Sequence, residues 1–205
     1  MGIWRAHIGK VSPSRGDSYT YEFYKIVPDK ILLTNVATGV KKLTADNFSQ
    51  AFDAYFDAAV TLAEEGAQFL IVGGGPVLVS QGPGTEDTLR ARIQKATSLP
   101  MTTEYSAPAD ACRILGIRRL GIISPYREGL NALVKAYFEE KGFQVPLIRG
   151  LGIERNLDIA DLPEDASFNL TMKAFREGPE VDGYYLTCGR WLTFSSIAPL
   201  ESETG

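Results

Sequence analysis

The feature that most constrains this chain is a pattern it uses twice. At residues 51–75 and again at 170–189, a helix-type stretch closes near a glycine, an apolar strand-type run follows, and a turn of small residues ends it. The first copy runs through Phe69-Leu70-Ile71-Val72 into Gly73-Gly74-Gly75-Pro76. The second runs from Val181 through Tyr184-Tyr185-Leu186-Thr187 into Cys188-Gly189-Arg190. Strands alternate with helices along the rest of the chain too, the mark of parallel α/β sheets. In such sheets ligands bind at the C-terminal ends of strands. The repetition points to two similar halves. If the halves face each other, Gly74 and Cys188 oppose one another across a cleft.

The order of elements follows from periodicity and turn residues. Ala6–Val11 reads as a first strand closed by Ser12-Pro13, and Ser14–Ser18 as a polar, flexible candidate active-site loop. Tyr19–Tyr24 is aromatic-rich and breaks at Pro28; Ile31–Val36 is a second strand. Phe48, Ala51, Phe52, Tyr55, Phe56, Ala59, Leu62 and Ala63 recur at three and four, the stripe of an amphipathic helix. Thr44 or Asp46 caps its start and Gly66 suits its end. Val77–Gly84 reads as a mobile segment before a helix opening at Thr85-Glu86-Asp87. Met101–Thr103 is a short strand, and Ser106 caps a helix running to Leu115. Arg119–Ile123 is a strand tipped by Ser124-Pro125-Tyr126. A helix from Glu128, a strand at Phe143–Ile148, an acidic connection at Glu154–Asp165 and a helix around Met172 lead to the Cys188 strand.

Chemistry narrows to a few residues. A thiol at a strand tip, followed by a glycine, can meet a substrate directly; the same residue also reads as a small buried cysteine, a common fate of free Cys. Cys112 lies among Ala109, Ala111 and Leu115 and reads as core, and the single histidine, His7, reads as structural. Two cysteines make neither a disulfide framework nor a zinc site. The glycines at 73–75 lack a nucleotide fingerprint, with no Gly-x-Gly-x-x-Gly opening a helix and no Lys-Ser/Thr following. They let a small ligand approach the backbone instead. A net charge of −4 and the absence of a basic run argue against nucleic acid and anionic membranes. No apolar stretch reaches about 18 residues, so no membrane span is expected. These features imply a cytoplasmic protein with reduced thiols.

The residues then resemble a known family. Glu22-Phe23-Tyr24, the strand into Gly73-Gly74, Leu99-Pro100-Met101-Thr102-Thr103 and Leu115-Gly116-Ile117-Arg118-Arg119 occur in its order and spacing. So do Ser124-Pro125-Tyr126 with Asn131, and Leu186-Thr187-Cys188-Gly189 with Leu192-Thr193. Over most of its length the chain resembles the aspartate/glutamate racemase superfamily, in the branch of arylmalonate decarboxylases and maleate cis–trans isomerases. The resemblance implies two α/β halves related by a pseudo-twofold axis, each a mostly parallel sheet flanked by helices, with the active site in the cleft between them and no cofactor or metal. The first half is expected over residues 1–115, completed by C-terminal residues absent after 205, and the second over 116–200. Family chains continue past Glu201–Gly205, which reads as the lead-in to a further strand.

Racemases and isomerases of that superfamily carry one cysteine per half. Here the first-half position falls at Gly74, so only Cys188 remains, the pattern of the decarboxylases. The resemblance implies a substituted malonate or similar dicarboxylate as substrate, with Cys188 protonating an enediolate. The backbone N–H groups of Cys188 and Gly189 and the Tyr126 hydroxyl form the oxyanion hole. Pro13, Ser14, Gly74, Gly75 and Arg190 are the further substrate-contacting candidates. The chain is expected to act as a monomer or homo-oligomer. It departs from the decarboxylase pattern at Gly75 and Pro76, where two hydroxyl residues are usual, and at Arg190, where glycine is usual. The loop at Ser14, Arg15 and Gly16 also lacks the asparagine with which isomerases bind carboxylate.

Overall fold

Two parallel sheets, each belonging to its own compact unit, organise the chain: Met1–Ala107 and Pro108–Gly205. The computed structural model describes residues 3–39, 45–80 and 82–205, with backbone alone over 45–51. The proposed caps Thr44 and Asp46 lie outside the described residues and side chains.

The first unit runs β1 (Ala6–Ser12), α1 (Asp17–Ile26), β2 (Ile31–Ala37), α2 (Ala45–Glu64), β3 (Phe69–Val72), α3 (Gly75–Val79), α4 (Thr85–Thr97) and β4 (Met101–Thr103). Its strands lie in the order β2-β1-β3-β4, all parallel. The α2 stripe packs as its spacing predicts: Tyr55, Ala59 and Leu62 are fully buried against Val11, Leu70, Val72, Leu89 and Ile93. Gly9 on β1 lets the helix close on the sheet, since a Cβ there would stand 3.0 Å from both Leu62 Cβ and Leu70 Cδ2.

The second unit holds most of α5 (Ser106–Ile114), then β5 (Arg119–Tyr126), α6 (Glu128–Glu140), β6 (Gln144–Ile153), a 3-10 turn at Asp158–Asp161, α7 (Ala166–Glu177), β7 (Gly183–Leu186) and α8 (Phe194–Thr204). Its order is β6-β5-β7, again parallel. Gly121 on β5 faces Tyr184 on β7, whose ring lies 2.6 Å from where a Cβ would stand, so the glycine makes room for the aromatic. Just before β7, Asp182 Oδ2 accepts the N–H groups of Arg118 (2.8 Å) and Arg119 (2.7 Å). Those two donors hold its carboxyl below the usual carboxylate range.

Four local expectations are corrected. The polar stretch Ser14–Ser18 is not one loop: Gly16 is the N-cap of α1, Asp17 supplies an acid to its first turn, and Gly16 C=O accepts the Thr20 N–H at 2.8 Å. The segment from Val77 is a short, wholly buried helix as far as Val79, because Val77, Leu78 and Val79 belong to the core. The cap of α5 is Thr103 and not Ser106: Thr103 Oγ1 accepts the Ser106 N–H at 2.9 Å, the spacing of a side-chain N-cap. Glu201–Thr204 is the last turn of α8 rather than the approach to a strand; Ser196 and Leu200, four apart, put one face of that helix inward. Among the described residues no helix is long and apolar enough to cross a membrane.

Candidate active site

In the second unit the chemistry collects where β5 and β7 end. β7 leaves the ladder with Thr187 N–H donating to Ile123 C=O at 2.9 Å. The next residue, Cys188, is a free, half-buried thiol with φ +96. A left-handed backbone is rare for a residue with a Cβ and costs about 1–3 kcal/mol, so it persists only where its surroundings impose it. They do so here through a tight turn: Trp191 N–H donates to Cys188 C=O at 3.0 Å, and Arg190 and Trp191 are both buried. The guanidinium of Arg190 is therefore an interior group and not a surface one.

On the neighbouring strand, Tyr126 stands at the same end of the sheet and is buried. Pro125 has no N–H to give the ladder, and the β5–β6 register shifts between Ser124 and Tyr126. Side chains take over from the missing backbone bond. Ser124 Oγ donates to Asn131 Oδ1 (2.5 Å) and accepts the Tyr126 N–H (3.2 Å), while Asn131 Nδ2 donates to Tyr126 C=O (3.2 Å). Gly150 on β6 is required for this bridge, because a Cβ would collide with both Asn131 Nδ2 and Tyr126 O.

In the first unit the matching strand end is β3. Gly74 adopts φ +82, and any Cβ on it would collide with the Tyr55 hydroxyl and stand 2.8 Å from Pro13 Cδ. Gly75 is as constrained: its Cβ would fall inside the Tyr105 ring. The structure thus brings Pro13, Gly74 and Gly75 together, with Ser14 half-buried in the turn after β1. It also places there a carboxylate that sequence reasoning missed. Glu104 Oε2 accepts the N–H groups of Gly74 at 2.5 Å and Gly75 at 3.2 Å. Lys10, buried inside β1, sets its Nζ 3.3 Å from the centroid of the Tyr19 ring. Burial, with the Glu104 carboxylate second, pushes the Tyr19 phenol up to about 12 and the Tyr55 phenol well above its ordinary value. A lysine inside an apolar strand, and a Glu-Tyr pair directly after the Leu99–Thr103 segment, were the available signals.

The remaining candidates are structural. His7 Nε2 pairs with Thr34 Oγ1 at 2.8 Å across β1 and β2. Cys112 is buried within α5, and that burial raises its thiol pKa. Among the described residues no group of three His, Cys, Asp or Glu side chains is placed to hold a metal ion.

Parallel α/β units with a strained thiol at a strand tip define a class of small-molecule enzymes, and the relatives of this chain are such enzymes. The chain belongs to the arylmalonate decarboxylase family, whose profile matches residues 9–205. It is 25% identical over 198 residues to the arylmalonate decarboxylase of Bordetella bronchiseptica, covering 97% of this chain and 82% of that one. It is 26% identical over 212 residues to the maleate isomerase of Pseudomonas putida KT2440, covering 97% and 84%. Its fold matches a liganded glycine-to-cysteine, cysteine-to-serine double mutant of arylmalonate decarboxylase with a TM-score of 0.85 at 24% identity, over 98% of this chain and 85% of that one.

Proposed function

We propose that this protein is a cofactor-independent decarboxylase of a substituted malonate, with Cys188 as the proton donor. The observation that carries the reading is steric. The chain has one strand-tip thiol, and at Gly74, where the two-cysteine relatives are expected to hold their second, the Tyr55 hydroxyl and Pro13 leave no space for a side chain. A single thiol suits a reaction that delivers one proton to one face.

The step balances without a co-reactant. The bond between the central carbon and one carboxylate breaks, carbon dioxide leaves, and the electron pair remains as an enediolate on the retained carboxylate. Cys188 Sγ–H gives its proton to that carbon, and the thiolate regains one from solvent. The donors proposed for the enediolate are the N–H groups of Cys188 and Gly189 and the Tyr126 hydroxyl, which gain strength as charge develops. Arg190 adds a cation at this strand end, and its planar fork suits a carboxylate. In the first unit Pro13, Ser14, Gly74 and Gly75 are proposed to contact the substrate, the two glycines by close backbone approach.

The test is incubation in D₂O with phenylmalonate, methyl-phenylmalonate and maleate, beside Cys188→Ala, read by NMR. Loss of carbon dioxide with one deuterium at the α-carbon, absent from the variant, is the expected result. Turnover of maleate alone would replace the decarboxylase reading with an isomerase. Binding without hydrogen exchange would leave a carboxylate-binding protein.

A further inference from the structure

The backbone N–H groups of Gly74 and Gly75 converge on a single atom, Glu104 Oε2, at 2.5 and 3.2 Å. Paired N–H groups at such a turn are a natural receptor for an anion. In this chain they already hold an anion that is part of the protein. The adjoining space, where a residue 75 side chain would stand, is filled by the Tyr105 ring. A second observation points to a ligand. The Tyr55 hydroxyl is fully buried, directed at Gly74, and has no hydrogen-bond partner among the described residues. Buried polar groups are nearly always satisfied, so an exception asks what satisfies it.

We propose that Glu104 is a specificity-determining residue. It closes the first unit's N–H pair to a substrate carboxylate and, with Tyr55, makes this strand end a receptor for a substrate hydroxyl. A hydroxyl both donates and accepts. It accepts from the Tyr55 phenol and donates to the carboxylate of Glu104, which has lone pairs beyond those used by the two N–H groups. A second substrate carboxylate would meet the Glu104 charge and find both amides taken. Taken with the decarboxylase reading on which it rests, this narrows the substrate to a malonate bearing a hydroxyl substituent, its retained carboxylate held by the Cys188–Arg190 turn.

The experiment measures binding alone, so failure of turnover on any malonate would refute the decarboxylase reading without touching this one. Acetate is titrated against wild type, Glu104→Gln, Glu104→Ala and Glu104→Asp while the Gly74 and Gly75 amide resonances are followed. In wild type and Glu104→Gln the acceptor oxygen still covers both amides, and acetate is expected to leave them unmoved. Glu104→Ala vacates them, and acetate affinity is expected to rise about tenfold or more. Glu104→Asp, one methylene shorter, gives the same reading with less risk to the fold. Dissociation constants for hydroxymalonate and malonate are then compared in the Cys188→Ala background. Hydroxymalonate is expected to bind about tenfold tighter, a preference removed by Tyr55→Phe. Equal acetate shifts at both amides in wild type and Glu104→Asp would overturn the closure. Equal affinity for the two malonates would overturn the hydroxyl receptor.

Discussion

The strand end at Gly74 and the strand end at Cys188 solve the same backbone problem in opposite ways. Both residues turn the chain through the left-handed region, at φ +82 and φ +96. At 74 the residue is glycine, which adopts that conformation freely, and its amide is bonded to the chain's own Glu104. At 188 the residue is cysteine, which pays for the same turn in strain. Glycine would relieve that strain and would also delete the thiol. Strain retained at one site and absent from its counterpart marks where this molecule keeps a side chain for its chemistry.

The most direct way to break that contrast is to make the second site resemble the first. Cys188→Gly is expected to stabilise the chain by about 1 kcal/mol, because the left-handed turn loses its steric cost. It should also lose activity on the cognate malonate by about a thousandfold, the weight of a positioned general acid. Cys188→Ala should lose the same activity while keeping the strain. Thermal denaturation and initial rates on the two variants separate the effects. Cys188→Gly no more stable than Cys188→Ala would show that the turn carries no strain.

The converse substitution places a thiol in the first unit. Gly74→Cys meets both the positive φ and the collision with the Tyr55 hydroxyl, and a loss of about 3 kcal/mol is expected in urea denaturation. Tyr55→Phe removes the colliding oxygen, so Gly74→Cys should cost about 1 kcal/mol less in that background. Purely additive costs in the double variant would show that the hydroxyl is not the obstacle. A smaller loss, about 2 kcal/mol, is expected for Gly150→Ala, whose Cβ would collide with the Asn131–Tyr126 bridge. That variant tests whether Tyr126 is held by side chains where Pro125 removes the ladder bond. Its signature is a lowered kcat beside the lost stability, because the Tyr126 backbone shifts with the bridge.

How much of this was legible in the sequence depended on the range of the interaction. The α/β class, the α2 stripe and both strand ends could be read, because apolar periodicity and glycine punctuation are local. Cys188 could be singled out for the same reason, lying directly after its strand. Glu104 could not. Its role depends on β3 and β4 lying side by side, so that a residue 30 positions along the chain reaches the Gly74 amide. The α1 helix was hidden by a polar start whose glycine cap and acid resemble a loop in composition. The approach of α8 to its end was misread because Glu201–Gly205 is polar and Pro199 interrupts the helical pattern, while the inward Ser196 is itself a polar residue. Arg190 was open between surface and interior, and only the turn closed by Trp191 decides it.

The smallest expected effect gives the sharpest contrast between the units, because it depends on the sign of one neighbouring charge. Tyr19 in the first unit and Tyr184 in the second both have raised phenol pKa values, chiefly through burial, Tyr19 reaching about 12. The second influence on Tyr19 is the Glu104 carboxylate, which raises it further; on Tyr184 it is the Arg149 guanidinium, which lowers it. Glu104→Gln should therefore bring the Tyr19 midpoint down, and Arg149→Met should move the Tyr184 midpoint up, each by a fraction of a unit in ultraviolet phenolate titrations referenced to the Tyr→Phe variants. The stability consequence has a fixed sign. Between the ordinary tyrosine value of about 10 and the folded value of about 12, the unfolded chain releases the Tyr19 proton and the folded chain keeps it. The contribution of Tyr19 is therefore complete below about pH 10 and disappears as pH rises toward 12, where Glu104→Gln should soften the decline. A Tyr19 midpoint unchanged by Glu104→Gln would mean that the carboxylate does not act on the phenol, and the first unit's strand end would lose its electrostatic distinction from the second.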